Sequence, residues 1–413
     1  MTLTLLKNAR IVDGSQDRPS DPVDILIEGE TIRDVGPGIR SAAETTIDLS
    51  GLTVLPGLID CHVHVIATKL DLGANADLPN SLVALRAARI MRGMLLRGFT
   101  TVRDLGGADH GLVEALEEGS IEGPRLVICG KALSQTGGHT DYRGRHNRRT
   151  VEHYPDRLGA LGRICDGVDE VRRACREEIM GGAQFIKLMA NGGVSSPTDP
   201  IANLGFSREE VSAAVEEARN AQTYVSAHLY TDEAIRRALE CGVISIEHGN
   251  LIRPDTAALA REKGAFVVPT NIVYDRLAKD GAALGLPSAS VAKIEDVRSA
   301  GLEALSILHE AGVTMVYGTD LLGEMHEHQS EEFVIRGERL PAMNVIRSAT
   351  SDAAKAIGLE GRVGTIAPGA FADIIAVNGN PLDDLALLTG QGRNMPLIMK
   401  GGISVKRVEQ HFR

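Results

Sequence analysis

The sequence predicts an α/β protein: a TIM-like (β/α)8 barrel with a small β domain assembled from both ends of the chain. Three observations carry that expectation. Short apolar segments alternate with helical stretches over roughly 300 residues, the pattern of parallel β/α units. Both ends are instead rich in strand and turn signals. The residues that carry chemistry fall at the C-terminal ends of the candidate strands, where a barrel places its active site.

Taken in order, residues 1 to about 55 read as short strands. Thr4–Ala9, Asp24–Glu28, Thr31–Val35 and Thr45–Asp48 are separated by turns at Asp13-Gly14, Glu28-Gly29 and Pro37-Gly38. Alone, this segment alternates too weakly to make an independent sheet. A matching run follows Ala367-Pro368-Gly369-Ala370, with strands at Ala372–Val377, Met395–Met399 and Ile403–Arg407. The two ends are therefore expected to share one sheet assembly. The expected division is a composite unit of 1–55 and 360–413, with the barrel over 56–359.

In the middle, eight candidate strands run Leu58–His62, Thr100–Asp104, Arg125–Gly130, Phe185–Met189, Tyr224–His228, Val243–Glu247, Ala265–Pro269 and Thr314–Gly318. Helical stretches lie between them at Ser81–Arg97, Val168–Met180, Arg208–Gln222, Thr231–Glu240, Pro254–Lys263 and Ser288–Ala311. Ser207 before Arg208-Glu209-Glu210, and Thr231 before Asp232-Glu233, supply a capping hydroxyl and an acidic first turn. A doubly wound open sheet is the weaker alternative, because no glycine-rich phosphate loop follows the first strand.

Composition removes several classes of function. A net charge of -11 argues against a nucleic-acid surface, and 3% aromatic residues with no Trp leave little to stack on bases. No apolar run is long enough for a membrane helix, and the Met1–Leu6 start lacks the pattern of a secretory signal. The five cysteines are scattered, form no C-x-x-C pair, and fit a reducing cytoplasm.

The site begins with His62 and His64. On a strand, positions i and i+2 face the same side, so both imidazoles can converge on one ion. Further candidates follow at strand ends: Lys187 on the fourth, His228 on the fifth, His248 on the sixth and Asp320 on the eighth. Singly, a strand-end His reads equally well as a structural residue and the Asp as a turn residue; together they make a site. Lys187 lies in the run Phe185-Ile186-Lys187-Leu188-Met189, where burial should depress its pKa. A neutral amine can add CO2 to give a carbamate able to bridge two ions; pairing with a nearby carboxylate is the competing reading.

With these residues the chain resembles the amidohydrolase superfamily: H-x-H on the first strand, a modifiable Lys on the fourth, single His on the fifth and sixth, and Asp on the eighth. The flanking Val54-Leu55-Pro56-Gly57-Leu58-Ile59-Asp60 and Gly364-Thr365-Ile366-Ala367-Pro368-Gly369-Ala370-Phe371-Ala372-Asp373 are similar too. The resemblance implies a metal-dependent barrel hydrolase with a β-sandwich domain built from both termini. It implies one zinc held by His62, His64, carboxylated Lys187 and Asp320, and a second by Lys187, His228 and His248, with Mn or Co able to take similar ligands. Asp320 would move the proton of a bridging water to the leaving amine. A homo-oligomer is also implied.

Four local stretches resemble the branch holding Xaa-Pro dipeptidases, metal carboxypeptidases and ochratoxin amide hydrolases. They are Ala132–His139, Met189–Pro197, His228-Leu229-Tyr230 and Gly318–Gly323. Such substrates share an amide whose amine side is an α-amino acid with a free carboxylate. Tyr230 could bind that carboxylate, and His139 either the carboxylate or the developing oxyanion. Gly192-Gly193 is expected to let backbone N–H groups approach the ligand. Arg103-Asp104 is expected to form a structural ion pair, and His326 and His328 to be loop or lid residues. A lactonase or phosphotriesterase on the same frame is the enzymatic alternative; a non-catalytic scaffold is disfavoured by the complete ligand set.

Overall fold

A computed structural model describes residues 2–194, 196, 198–281, 283 and 288–411. Of the stretches singled out above, Met1, Ser195 and Pro197 lie outside it. The strands are β1 (Leu3–Ile11), β2 (Val23–Glu28), β3 (Thr31–Gly36), β4 (Thr45–Asp48), β5 (Leu52–Pro56), β6 (Leu58–Val63), β7 (Phe99–Asp104), β8 (Arg125–Ile128) and β9 (Ala132–Ser134). They continue as β10 (Gly162–Ile164), β11 (Ile186–Met189), β12 (Val225–Thr231), β13 (Ser245–Leu251), β14 (Phe266–Val268), β15 (Thr314–Met315), β16 (Ile374–Asn378), β17 (Leu397–Lys400) and β18 (Ile403–Arg407).

The two ends of the chain share one sheet, in the order β18-β17-β16-β5-β1-β2-β3, with β4 also paired to β1. The join is β5 against β16, antiparallel from Leu52↔Asn378 to Pro56↔Ile374. Leu6, Ile25, Val54, Ile374 and Leu397 meet in a separate apolar cluster beneath it. Neither end buries enough apolar surface alone, and pairing them provides it. Gly57 then turns the chain from β5 directly into β6. Its N–H donates to Asp373 O, and a Cβ there would lie 2.1 Å from Thr100 Oγ1, so only glycine fits the corner.

The middle of the chain is parallel throughout. One sheet runs β6-β7-β8 and the other β10-β9-β11-β12-β13-β14-β15. Helices follow the strands and bury one stripe each. The helix Val168–Met180 starts with Asp169 and Glu170 in its first turn and buries Val171, Ala174 and Cys175. Arg208–Asn220 opens with a capping box between Ser207 and Glu210. Asp232–Cys241 is capped by the Thr231 hydroxyl and ends at Gly242 in the left-handed region, φ 99°. The helix bounds thus fall close to those the sequence predicts.

Two strand expectations change. The predicted third strand, Arg125–Gly130, ends at Ile128; the chain turns at Gly130 (φ 65°) and β9, not β8, pairs with β11. The predicted eighth strand, Thr314–Gly318, keeps ladder pairing only over Thr314–Met315. Beyond it the backbone bonds in several directions. Val316 N–H reaches Val267 O, Tyr317 N–H reaches Ser348 O, and Tyr317 O accepts from Cys61 N–H. No helix is long and apolar enough to cross a membrane among the described residues.

Candidate metal centre

His62 and His64 leave the end of β6 buried, with their ring centroids 5.4 Å apart. Asp320 sits between them: its Oδ1 is 3.3 Å from His62 Nε2 and 3.2 Å from His64 Nε2. The Asp320 N–H donates to His62 O at 2.8 Å, so the segment after β15 and the end of β6 fix each other. His248, on β13, brings its ring to 4.8 Å from that of His62. One ligand atom each from His62, His248 and Asp320 lies within 4.8 Å of the others. His228, on β12, sits 4.6 Å from His248 ring to ring. Lys187, on β11, lines the same cavity as these five. Two of them hold strained backbone, with φ 71° at His248 and 55° at Asp320, a conformation disfavoured for residues other than glycine and tolerated at functional sites.

Each ring is oriented from behind. His62 Nδ1 lies 2.8 Å from Glu247 Oε2 and His64 Nδ1 lies 3.3 Å from Gly106 O, so both can present Nε2 to the cavity. His228 is tied by Nε2 to Gly192 O at 3.3 Å, which leaves Nδ1 as its lone-pair nitrogen. His248 Nδ1 meets Thr270 Oγ1 at 2.8 Å. A carbonyl only accepts, so the partner chosen for one ring nitrogen decides which nitrogen can ligate.

The electrostatics suit a cation. Burial pushes the Asp320 carboxyl up, but His62 and His64 outweigh it and hold the group well below the carboxylate range. Burial and neighbouring His139 hold His228 well below the usual imidazole value; burial and His62 do the same to His248. Lys187 is 1% exposed, its Nζ has no hydrogen-bond partner among the described residues, and burial lowers its pKa to about 8. The reading of Lys187 as half of a carboxylate pair is not what the structure shows. Lys187 is thus a buried, unsatisfied amine in one cavity with four imidazoles and a carboxylate, a set of donors of the kind that divalent cations take. The residues present fit divalent cations.

The rest of the cavity wall includes Leu72, Leu161, Met189 and Leu322, together with His139 and Thr140. His139 stacks on His228 and places Nδ1 3.1 Å from Ser196 Oγ. Tyr230 is buried, stacked on His248 at 5.2 Å and edge-on to His228 at 4.7 Å. Its hydroxyl accepts from Tyr274 Oη at 2.8 Å, which leaves its own proton to donate.

Three expectations need correction. The Gly192 N–H is already taken by Asn203 O at 2.9 Å. The glycine pair is instead required by side-on space: a Cβ at 192 would lie 1.8 Å from Pro200 O, and one at 193 would lie 1.9 Å from His139 Cε1. Arg103 and Asp104 do not pair with each other; Arg103 bonds Glu247, while Asp104 accepts the N–H groups of Val65, Gly106 and Ala108. His326 is not a lid residue. It is 6% exposed in the 3-10 helix Gly323–Glu331, with Nε2 3.1 Å from Ala67 O, and His328 Nδ1 meets Glu331 Oε1 at 2.6 Å on the same helix. Sequence reasoning missed Glu247 and Tyr274. A carboxylate in the otherwise apolar run before His248 was the available signal for Glu247; nothing local marks Tyr274.

Comparison with known proteins agrees with the geometry. Residues 53–403 match the sequence profile of the amidohydrolase family. An ochratoxinase from Aspergillus niger is 34% identical over 369 residues, covering 84% of this chain and 75% of that protein. Among solved structures, a prolidase complexed with N-methylphosphonate-L-proline superposes with a TM-score of 0.97 at 48% identity, covering 98% of this chain and 100% of the other. A Xaa-Pro dipeptidase with methionine bound in its active site gives a TM-score of 0.86 at 31% identity, covering 98% and 100%.

Proposed function

Because this chain belongs to the amidohydrolase family, we propose that it is a metal-dependent hydrolase of the amide bond in small N-acyl or N-aminoacyl amino acids with a free α-carboxylate. The observation that carries the reading is the orphaned Lys187 amine in one cavity with His62, His64, His228, His248 and Asp320. Relatives named prolidase, Xaa-Pro dipeptidase and ochratoxinase support the substrate class. The phosphonate ligand of the prolidase puts a tetrahedral phosphorus on the nitrogen of an amino acid, the arrangement an amide takes up when water adds to it.

In this proposal Lys187 is carboxylated on Nζ. His62, His64, Lys187 and Asp320 would hold one zinc, and Lys187, His228 and His248 would hold a second, with Mn or Co as substitutes. The ions would polarise the scissile carbonyl and lower the pKa of a coordinated water towards neutrality. The remaining work belongs to side chains. Asp320 Oδ takes a proton from the water and delivers it to the leaving nitrogen. His139 donates to the carbonyl oxygen as negative charge builds on it. Tyr230, its oxygen already accepting from Tyr274, donates its own proton to the substrate carboxylate. Leu72, Leu161, Met189 and Leu322 keep bulk water from the reacting centre, which strengthens each of these contacts.

The frame proposed for this site is a closed (β/α)8 barrel over 56–359 with a β-sandwich from 1–55 and 360–413. Bonds across both gaps between the parallel sheets support closure: Cys61 N–H to Tyr317 O on one side and Gln184 N–H to Ile128 O on the other. A homo-oligomer in the cytoplasm completes the proposal. The deciding experiment is mass spectrometry of amino acids released from a library of dipeptides and N-acyl amino acids, beside lactones and phosphotriesters. Release confined to amides with a free carboxylate, by protein carrying two ions per chain, is the expected result. Turnover of lactones or triesters alone would transfer the site to the alternative reading.

A further inference from the structure

Glu247 is 0% exposed beneath the site, and its two oxygens have different duties. Oε1 accepts from Arg103 Nη2 at 2.8 Å, from Ser226 Oγ at 2.6 Å and from Ser245 Oγ at 2.6 Å. Oε2 is turned to one group among the described residues, His62 Nδ1, at 2.8 Å. Arg103, equally buried, cannot shift to change this. Its Nε donates to Cys61 O at 2.7 Å, its Nη1 to Tyr224 Oη at 3.1 Å and Ser245 Oγ at 3.0 Å, and its guanidinium lies over the rings of Phe185 and Phe266.

A purely structural ion pair would be complete with Arg103 and the two serines. Burying a carboxylate and a guanidinium is costly, and hydrophobic side chains of the same volume would serve the core at least as well. What apolar residues cannot supply is a fixed acceptor for an imidazole. An ionised carboxylate only accepts, so a neutral His62 that ligates an ion would carry its hydrogen on Nδ1 and offer the lone pair of Nε2, the nitrogen 3.3 Å from Asp320 Oδ1. The links span β6, β7, β12 and β13, so four strand ends are locked together by the same device that orients the ring.

We infer that Glu247, anchored by Arg103, is a positioning residue that fixes the tautomer and angle of His62 and so sets the divalent-ion affinity of the site. This rests on the metal-hydrolase reading above.

The test is competition of the protein against a chromophoric chelator for Zn2+, with Glu247→Gln and Ser226→Ala beside the parent, and thermal unfolding of each. E247Q keeps the side-chain size but loses the charge and can present an N–H to His62; its ion affinity should fall by about 10- to 100-fold, the range for losing such a support. S226A removes a donor from Oε1 and leaves Oε2 on His62. Its affinity should stay within about threefold of the parent even if it unfolds earlier. Folded E247Q with parental affinity, or S226A losing as much affinity as E247Q, overturns the inference. Should E247Q not fold, imidazole 15N spectra of the zinc-loaded parent decide: a His62 proton on Nδ1 supports it and one on Nε2 overturns it. A parent that takes up no zinc removes both this inference and the reading beneath it, whereas parental uptake with an indifferent E247Q removes only this one.

Discussion

The ring of His139 lies nearly parallel to that of His228, with centroids 4.2 Å apart and planes at 17°. Gly193 makes the stack possible, since a methyl group there would occupy the His139 ring. His228 is a proposed ion ligand and His139 is not, so the stack holds the proposed oxyanion donor against a proposed ligand. Gly193→Ala should push His139 off this position and reduce kcat by up to about 100-fold, the scale for a 1 Å misplacement. Ion content, by elemental analysis, should stay at the parental level. Loss of ions along with turnover would mean that His139 matters through His228 rather than through the substrate.

Lys187→Ala should empty the site. It deletes the one group proposed to touch both ions and replaces a 1%-exposed side chain by a void. Expected outcomes are less than one ion per chain and turnover near background, with partial return of both when a short-chain carboxylic acid is added to fill the gap. Full ion content in the variant would refute the bridging role.

Asp320→Asn should leave the fold in place and cripple the chemical step. The amide N–H can donate to the Nε2 of His62 or His64, so unfolding should shift little; kcat should fall by about 100-fold or more, the scale of lost general acid–base catalysis. A kcat within a few-fold of the parent would take the proton transfer away from Asp320.

Tyr230→Phe should raise KM for substrates bearing a carboxylate, with little change in ion content. It also strips Tyr274 of the acceptor for its proton while the bond with Thr270 remains, and losing a buried partner of this kind costs about 1–3 kcal/mol. The double variant with Tyr274→Phe removes both polar ends. Stability should partly return while KM stays high, which separates the structural effect from the substrate contact.

His326 should make the protein acid-sensitive. Burial is the largest influence on it and pushes its pKa down from 6.5 to about 4. Between those values the unfolded chain binds a proton that the folded chain refuses, so stability is fully present above pH 6.5 and is lost as pH falls towards 4. His326→Gln should flatten the dependence of Tm on pH across that window. An unchanged slope would assign the acid sensitivity to other groups.

Much of this was legible because the signals are local. His62 and His64 announce themselves by strand spacing, and the helix Val168–Met180 by its acidic start and apolar stripe. Lys187 stood out as a charge in an apolar run, and its lack of a partner in the fold follows from that placement. What stayed hidden depends on pairing between distant segments. Arg103 sits beside Asp104 in sequence yet bonds Glu247, 144 residues away. Strands of three residues such as β9 and β10 are too short for periodicity to register, so the third unit read as one strand. Gly193 reads in sequence as a place where backbone N–H groups approach a ligand, whereas in the fold it is clearance for a ring.

The seam between β5 and β16 sets a schedule for the chain as it leaves the ribosome. The strand that runs straight into His62 has its partner more than 300 residues downstream, so the floor beneath the first ligands is laid last. Loss of the tail beyond Asp373 would leave an apolar edge open from Leu52 to Pro56, an invitation to strand exchange between copies and to clumping rather than a merely shorter enzyme. Such separation also predicts slow refolding from denaturant, since the seam must wait for a very long loop to close.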